Sequence, residues 1–278
     1  MPYCYPFLSD RAVPWKAIWD IGLFVPRLWP EVATREGALS ALGTIRADRP
    51  FHLAAGLAWQ QEGGPETAGP VVWVTGEVDL AAAREPAWSG GADASIAVLT
   101  ADARPVASKP VSMTATARGF VAYLPAQLAP GEYVVRVKVQ GKLGAGAEAS
   151  EQVRVVVPSA DATGPASMLG QALLFRRGPF SGPGFQPTAD LRFRRAERLR
   201  LDVPLSGPVD AVSARVLDRK GEPLAVPATA LQREDSGMRL ASAEVTLAPL
   251  AAGDYLIEVS ATRGDRQEKT LAAIRIVP

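Results

Sequence analysis

The chain holds one cysteine and one histidine in 278 residues. A single cysteine, Cys4, excludes an intrachain disulfide; it leaves the compartment open, because many exported bacterial β-sandwiches carry none. It also has no histidine beside it and lies near a terminus, where a passive thiol is the default. The single histidine, His52, falls in a strand at a position of outward parity and reads as a surface residue, which leaves little to build a proton-transfer site from. Thirty basic and 29 acidic residues leave a net charge of +1, so no overall field points to nucleic acid or an anionic membrane. No apolar run is long enough to span a bilayer, and the start has neither a basic segment ahead of an apolar one nor a small-residue cleavage site, so no signal peptide is recognisable.

What the chain does have is a stretch that occurs twice. Gly131-Glu132-Tyr133-Val134-Val135-Arg136-Val137 is matched by Gly253-Asp254-Tyr255-Leu256-Ile257-Glu258-Val259. Each copy is a turn, a tyrosine and then alternation with a period of two. Tyr133, Val135, Val137 and Val139 fall on one strand face, and Tyr255, Ile257, Val259 and Ala261 on one face of the other; Glu258, Ser260 and Thr262 point to water. A tyrosine opening such a strand looks like the tyrosine corner of immunoglobulin-like and fibronectin-type sandwiches, which gives Tyr133 and Tyr255 a structural role. The likeness extends in both directions. Val98-Leu99 with Pro105-Val106-Ala107 resembles Val216-Leu217 with Pro223-Leu224-Ala225, and Val155-Val156-Val157-Pro158 resembles Arg275-Ile276-Val277-Pro278. A repeat of that length is a duplicated module of about 100 to 120 residues rather than a solenoid.

Along the chain, residues 1–48 read as a helical or irregular segment. Pro14 can open a helix whose Trp15, Ile18, Trp19 and Leu23 share a face, either a docking helix or the trace of a start placed inside a longer gene. A second short helix over 31–45 has Ala38, Leu39 and Leu42 as apolar positions. From Phe51 the period becomes two, and 49–158 reads as a first sandwich with strands near 51–59, 71–78, 94–100, 111–124, 132–140 and 149–157. Residues 159–190 read as a connection and 191–278 as a second sandwich, with strands near 199–204, 211–217, 239–247, 254–262 and 269–277. The expected class is therefore all-β: two tandem immunoglobulin-like or fibronectin III-like β-sandwiches behind a short helical segment, with one large sandwich or jelly roll as the alternative.

At the connection, Leu174-Phe175-Arg176-Arg177-Gly178-Pro179 and Pro187-Thr188-Ala189-Asp190-Leu191-Arg192-Phe193, together with the ending Ile274-Arg275-Ile276-Val277-Pro278, are similar to the C-terminal part of von Willebrand factor A-related proteins of Acidobacteria and similar bacteria. The resemblance covers roughly residues 35–278. It implies a β-rich region of an extracytoplasmic protein in which a metal-binding A domain comes first. The A domain's Asp-x-Ser-x-Ser loop is met only by Asp93-Ala94-Ser95-Ile96-Ala97, which lacks the last serine, so no metal residue carries over and no cofactor is expected.

Other candidates for chemistry have bland readings. Gly144-Ala145-Gly146-Ala147 mimics a dinucleotide fingerprint but lies between strands, where no helix terminus meets a phosphate. Asp202, Asp210, Glu234 and Asp235 read as solvated loop acids. The cluster of Arg176, Arg177, Arg192, Arg194, Arg195, Arg198 and Arg200, with Phe175 and Phe193 among them, reads as a polyanion-binding patch, as a solvated strand face, or as salt bridges across the domain junction. All six tryptophans lie within residues 1–88. Trp73 shares a face with Thr75 and Glu77, opposite Val72 and Val74, so it is either an exposed platform or a core residue whose parity a bulge corrects. The function expected is a non-catalytic structural or protein-binding module with a protein partner; a carbohydrate-binding module using Trp73 on a polysaccharide is the alternative.

Overall fold

The computed structural model describes residues 34–46, 48–60, 69–125, 128–143, 147–158, 167–179 and 184–278. Cys4, the helix expected after Pro14, the Gly63–Pro65 loop, most of Gly144–Ala147 and the linker from Ser159 to Pro165 lie outside these residues. Among the described residues the chain is all-β, with one short helix ahead of the strands and a 3-10 turn (Ala82–Arg84) and a four-residue helix (Pro86–Ser89) after the second strand, and no helix is long and apolar enough to cross a membrane.

The strands, in order, are β1 (Phe51–Gln60), β2 (Gly69–Val78), β3 (Ala92–Thr100), β4 (Pro105–Met113), β5 (Gly119–Pro125), β6 (Gly131–Gly141), β7 (Glu148–Val157), β8 (Leu173–Arg177), β9 (Gln186–Thr188), β10 (Arg192–Arg194), β11 (Arg198–Pro204), β12 (Ala211–Leu217), β13 (Ala228–Asp235), β14 (Met238–Thr246), β15 (Gly253–Arg263) and β16 (Arg266–Val277). They form three sheets: β4-β3-β6-β7; β10-β16-β15-β12; and an eight-stranded sheet ordered β5-β2-β1-β14-β11-β8-β9 with β13 also on β14. Pairing is antiparallel except between β10 and β16.

Each half has its own core. Phe51, Leu57, Val72, Val74 and Leu124 from β1, β2 and β5 pack against Ile96, Val98, Val135, Val137 and Val155 from the four-stranded sheet. Leu199, Leu201, Val203, Ala243 and Val245 from β11 and β14 pack likewise against Val216, Ile257, Val259, Ile274 and Ile276. Apolar burial at about 25 cal/mol per Å² drives both layers together.

The two repeated stretches hold the same register. Gly131 pairs with Val157 and Tyr133 with Val155; Gly253 pairs with Ile276 and Tyr255 with Ile274. Both glycines hold φ 156°. Strand for strand, β1, β2, β3, β5, β6 and β7 correspond to β8, β11, β12, β14, β15 and β16. Two departures remain: β4 pairs with β3, whereas β13 pairs with β14 and so joins the opposite layer, and β9 and β10 have no counterpart in the first half.

Four features differ from expectation. The stretch 111–124 is two strands split by a turn, because Thr114 to Arg118 leave the ladder between β4 and β5. The stretch 159–190 contributes β8 and β9 to the large sheet, since Leu173 and Leu174 bury against β11 and the core. The short helix expected over 31–45 is present but shorter, as α1 (Arg35–Gly43), opened by Thr34, whose Oγ1 accepts from Gly37 N at 3.1 Å. It packs Ala38 and Leu42 on Leu217, Leu256 and Leu271, so the N-terminal segment docks on the C-terminal half. Finally, Glu258 and Ser260 do not face water. They are 5% and 8% exposed, because β15 lies between β12 and β16 and the flanking Arg215 and Lys269 reach over Glu258, at 2.7 and 3.3 Å.

Candidate functional site

The residues with the most chemistry meet where the two halves face each other. β2 alternates as its sequence requires, and its ladder with β1 runs from Phe51↔Val78 to Gln60↔Gly69 with no break in register. Trp73, Thr75 and Glu77 therefore do lie opposite Val72 and Val74. They are nevertheless 1%, 1% and 2% exposed. The parity is right and no bulge corrects it; the outer face of β1-β2-β5 is itself covered, by the C-terminal half. Trp73 packs with Ala58, Leu173, Met238 and Leu240, flanked by Val121, Tyr123 and Phe175. An indole so enclosed offers no platform to a sugar ring, which removes Trp73 as a carbohydrate-binding residue. The clue that sequence reading passed over is the unbroken apolar run Val71-Val72-Trp73-Val74, the mark of a strand buried on both faces.

Beside this apolar patch lies a buried ionic network. Glu77 Oε2 accepts from Thr188 Oγ1 at 2.5 Å, and Thr188 Oγ1 accepts from Arg176 Nη2 at 2.6 Å. Glu77 Oε1 lies 3.5 Å from Arg176 Nε and 3.3 Å from Arg118 Nη2, and Arg176 Nη1 lies 3.5 Å from Glu197. Arg176 also stacks over Phe193, 4.9 Å from the ring centroid. Burial works against its charge, but Glu77, Glu197 and Asp190 outweigh that and hold the guanidinium firmly protonated. Glu77 and Arg118 belong to the first half, the other partners to the second.

A second cluster continues from it. Arg192 Nη2 donates to Asp79 at 3.0 Å and its Nε donates to Asp190 at 2.9 Å; His52 Nε2 sits 3.3 Å from Asp79. Burial pushes the Asp79 carboxyl up, yet the bond to His52, the Ala81 N–H and the charge of Arg192 prevail and hold it well below the ordinary carboxylate range. Ligand atoms of His52, Asp79 and Asp190 all lie within 4.8 Å of one another, a spacing suited to a metal ion. The guanidinium of Arg192 bridges the two carboxylates, so the cation in this cluster is already supplied by the chain. His52 is thus not a surface histidine: its side chain is 11% exposed, under the second half.

On the far side of the patch, Asp202 accepts from Ser242 at 2.6 Å and lies 3.3 Å from Arg200. Expected in a solvated loop, it is 1% exposed in the middle of β11. Arg200 lies over Phe175 and Phe185, at 4.3 and 4.9 Å, and Arg177 over Phe185 at 5.0 Å.

Of the arginines read as a patch, Arg176 is buried, Arg192 is held by Asp79 and Asp190, Arg177 and Arg200 are half-buried on aromatic rings, and Arg194, Arg195 and Arg198 are exposed. What gathers them is the junction. Tyr133 and Tyr255 stand elsewhere, each donating to the carbonyl four residues upstream, Ala129 at 2.9 Å and Ala251 at 3.1 Å. Models of known protein families give no match to this chain, and no curated protein matches it either.

Proposed function

We propose that the chain is a non-catalytic structural or protein-binding module made of two immunoglobulin-like sandwiches fused into one rigid body. By its resemblance to von Willebrand factor A-related proteins, it serves an extracytoplasmic protein as a spacer that presents its outer sheets to a protein partner. Strand pairing supports the sandwich type. In the second half β8-β11-β14-β13 faces β12-β15-β16, the ABED and CFG arrangement of a constant-type immunoglobulin domain; in the first, the fourth strand lies on the CFG side instead. The paired tyrosine hydroxyl bonds support the same reading, since such folds close a corner with a tyrosine bonded to backbone a few residues upstream.

The observation that carries the reading is the junction. Interfaces between domains of one chain are usually polar and loose. Here an apolar centre around Trp73 is flanked by buried ion pairs, and swinging the halves apart would part Glu77 from Arg176 and Thr188. The titratable groups that meet there are engaged in holding the halves together. Residual dipolar couplings test this: amides of β6 and β15 should fit a single alignment tensor. Two tensors of different magnitude would show independently tumbling halves and defeat the spacer reading.

A further inference from the structure

A polar concavity of about 490 Å³ lies on the outer face of β12, β15 and β16, beyond the apolar end of that face, where α1 covers Leu217, Leu256 and Leu271. Strand pairing sets its residues in rows: Arg215 beside Glu258, then Ser213, Ser260 and Lys269 side by side, with Gln267 after them. Glu258 is buried and shared by two cations, Arg215 Nε at 2.7 Å and Lys269 Nζ at 3.3 Å, whose own side chains are more than half exposed. Two cations on one carboxylate leave a surplus positive charge, and each keeps N–H groups unused. Glu268, which also lines the concavity, does not cancel that surplus: its carboxylate accepts from Ser167 Oγ and from the Met168 and Leu169 N–H groups, and its charge is offset by Arg266 at 3.4 Å. At the floor Ser260 is 8% exposed, yet its hydroxyl has no hydrogen-bond partner among the described residues, and neither have the Ser213 hydroxyl and the Gln267 amide. A polar side chain so deeply buried is seldom left unpaired.

We infer that this concavity binds a sugar acid, a molecule of monosaccharide size with several hydroxyls and one carboxylate. The carboxylate takes up the surplus charge between Arg215 and Lys269, whose charged N–H donors favour an ionised acceptor. The hydroxyls exchange hydrogen bonds with Ser213, Ser260 and Gln267, side chains that both donate and accept. One negative charge fits where a phosphate ester's two do not, because the second would face Glu258. The lining has no aromatic ring and no apolar side chain larger than that of Ala214, so an apolar ligand would find little to bury against. At roughly 30 Å³ per water-sized group, the volume holds about sixteen non-hydrogen atoms, enough for one sugar ring with its substituents. The site lies on an outer sheet and takes no part in the junction, so it does not depend on the fusion of the two halves.

D-Glucuronate and D-galacturonate test the assignment against D-glucose, which lacks the carboxylate, and cyclohexanecarboxylate, which lacks the hydroxyls. The full chain is titrated with each at constant ionic strength while the amide ¹⁵N–¹H signals of Ser213, Ser260 and Lys269 are followed. At least one uronate should shift these signals saturably and bind about tenfold more tightly than either glucose or cyclohexanecarboxylate, the difference expected for losing a charged hydrogen bond or two neutral ones. Ser260→Ala, which breaks no hydrogen bond within the chain, should weaken that uronate about tenfold. Lys269→Gln should do the same while Arg215 still holds Glu258, and unmoved amide signals in β11 and β14 show that both variants are folded. No saturable shift with either uronate overturns the proposal. Equal affinity for glucose or cyclohexanecarboxylate, or unchanged uronate affinity in Ser260→Ala, overturns it as well.

Discussion

Tyr133 and Tyr255 make the same bond in different surroundings, and this sets their energies apart. Tyr133 is 8% exposed, whereas the Tyr255 hydroxyl bonds in an exposed setting. Tyr133→Phe strands a partly buried carbonyl and should cost about 1 kcal/mol in urea unfolding; Tyr255→Phe, whose carbonyl can turn to water, should cost less than half of that. Equal costs would show that the hydroxyl environment does not matter. The same contrast between pairing and burial governs the acids. Asp79 is held below the ordinary range, so its stabilisation is complete above about pH 4, the value of a free aspartate, and is lost as pH falls through the folded value. Asp202 has the opposite sign: burial raises it beyond what Ser242 and the charges of Arg200 and Arg233 lower, so its ionised form costs stability at neutral pH and protonation relieves that cost. Asp79→Asn should therefore lower the urea midpoint at pH 7 and converge on the parent as pH drops below about 4. A gap of constant size from pH 7 to about 2.5 would remove Asp79 from the acid response.

At the scale of elements, the strands were legible where one face is core and the other water. β6 buries alternate residues from Tyr133 to Val139 as the period of two requires. The long charged neighbours on its other face left no ambiguity. β2 and β15 were harder, because both faces are covered and alternation says only which residues share a side, not what lies over them. β8 and β9 are short and lie among Gly and Pro, so propensity pointed to a connection; β8 is held by β11 and the core beneath it and β9 by β8, pairings that no local pattern encodes. Close packing of β9 on the first half gives an element-level prediction. A Cβ at Gly119 would lie 2.6 Å from the Pro187 carbonyl oxygen, a backbone atom with no room to yield. Gly119→Val should cost about 1 to 3 kcal/mol through overpacking. Gly43→Ala, where a Cβ meets nothing within 4 Å, should be neutral or stabilise α1 by up to about 1 kcal/mol. Thermal unfolding of both variants checks the pair.

For the whole molecule, the repeat announced two similar units, and two separate cores follow from it. What it did not announce is that they share a covered face. Glu77 and Asp202 read as outward or solvated because the sequence of one unit carries no record of the other lying against it; for the same reason the sequence leaves Trp73 between platform and core, and Arg176 between an exposed patch and junction salt bridges. The signals were present but divided: an apolar run in β2, and acids and arginines that lie 99 (Glu77 and Arg176) and 113 (Asp79 and Arg192) positions apart and match only once the chain has folded. Such a junction couples the halves energetically as well as sterically, since removing one partner of a buried ion pair costs about 3 to 5 kcal/mol. Native-state hydrogen exchange in increasing urea measures that coupling most directly. In the parent chain, the most protected amides of β6 and β15 should open with one common free energy, and Glu77→Ala should split them into two. Separate opening energies for β6 and β15 in the parent chain, left unchanged by Glu77→Ala, would contradict a single rigid body.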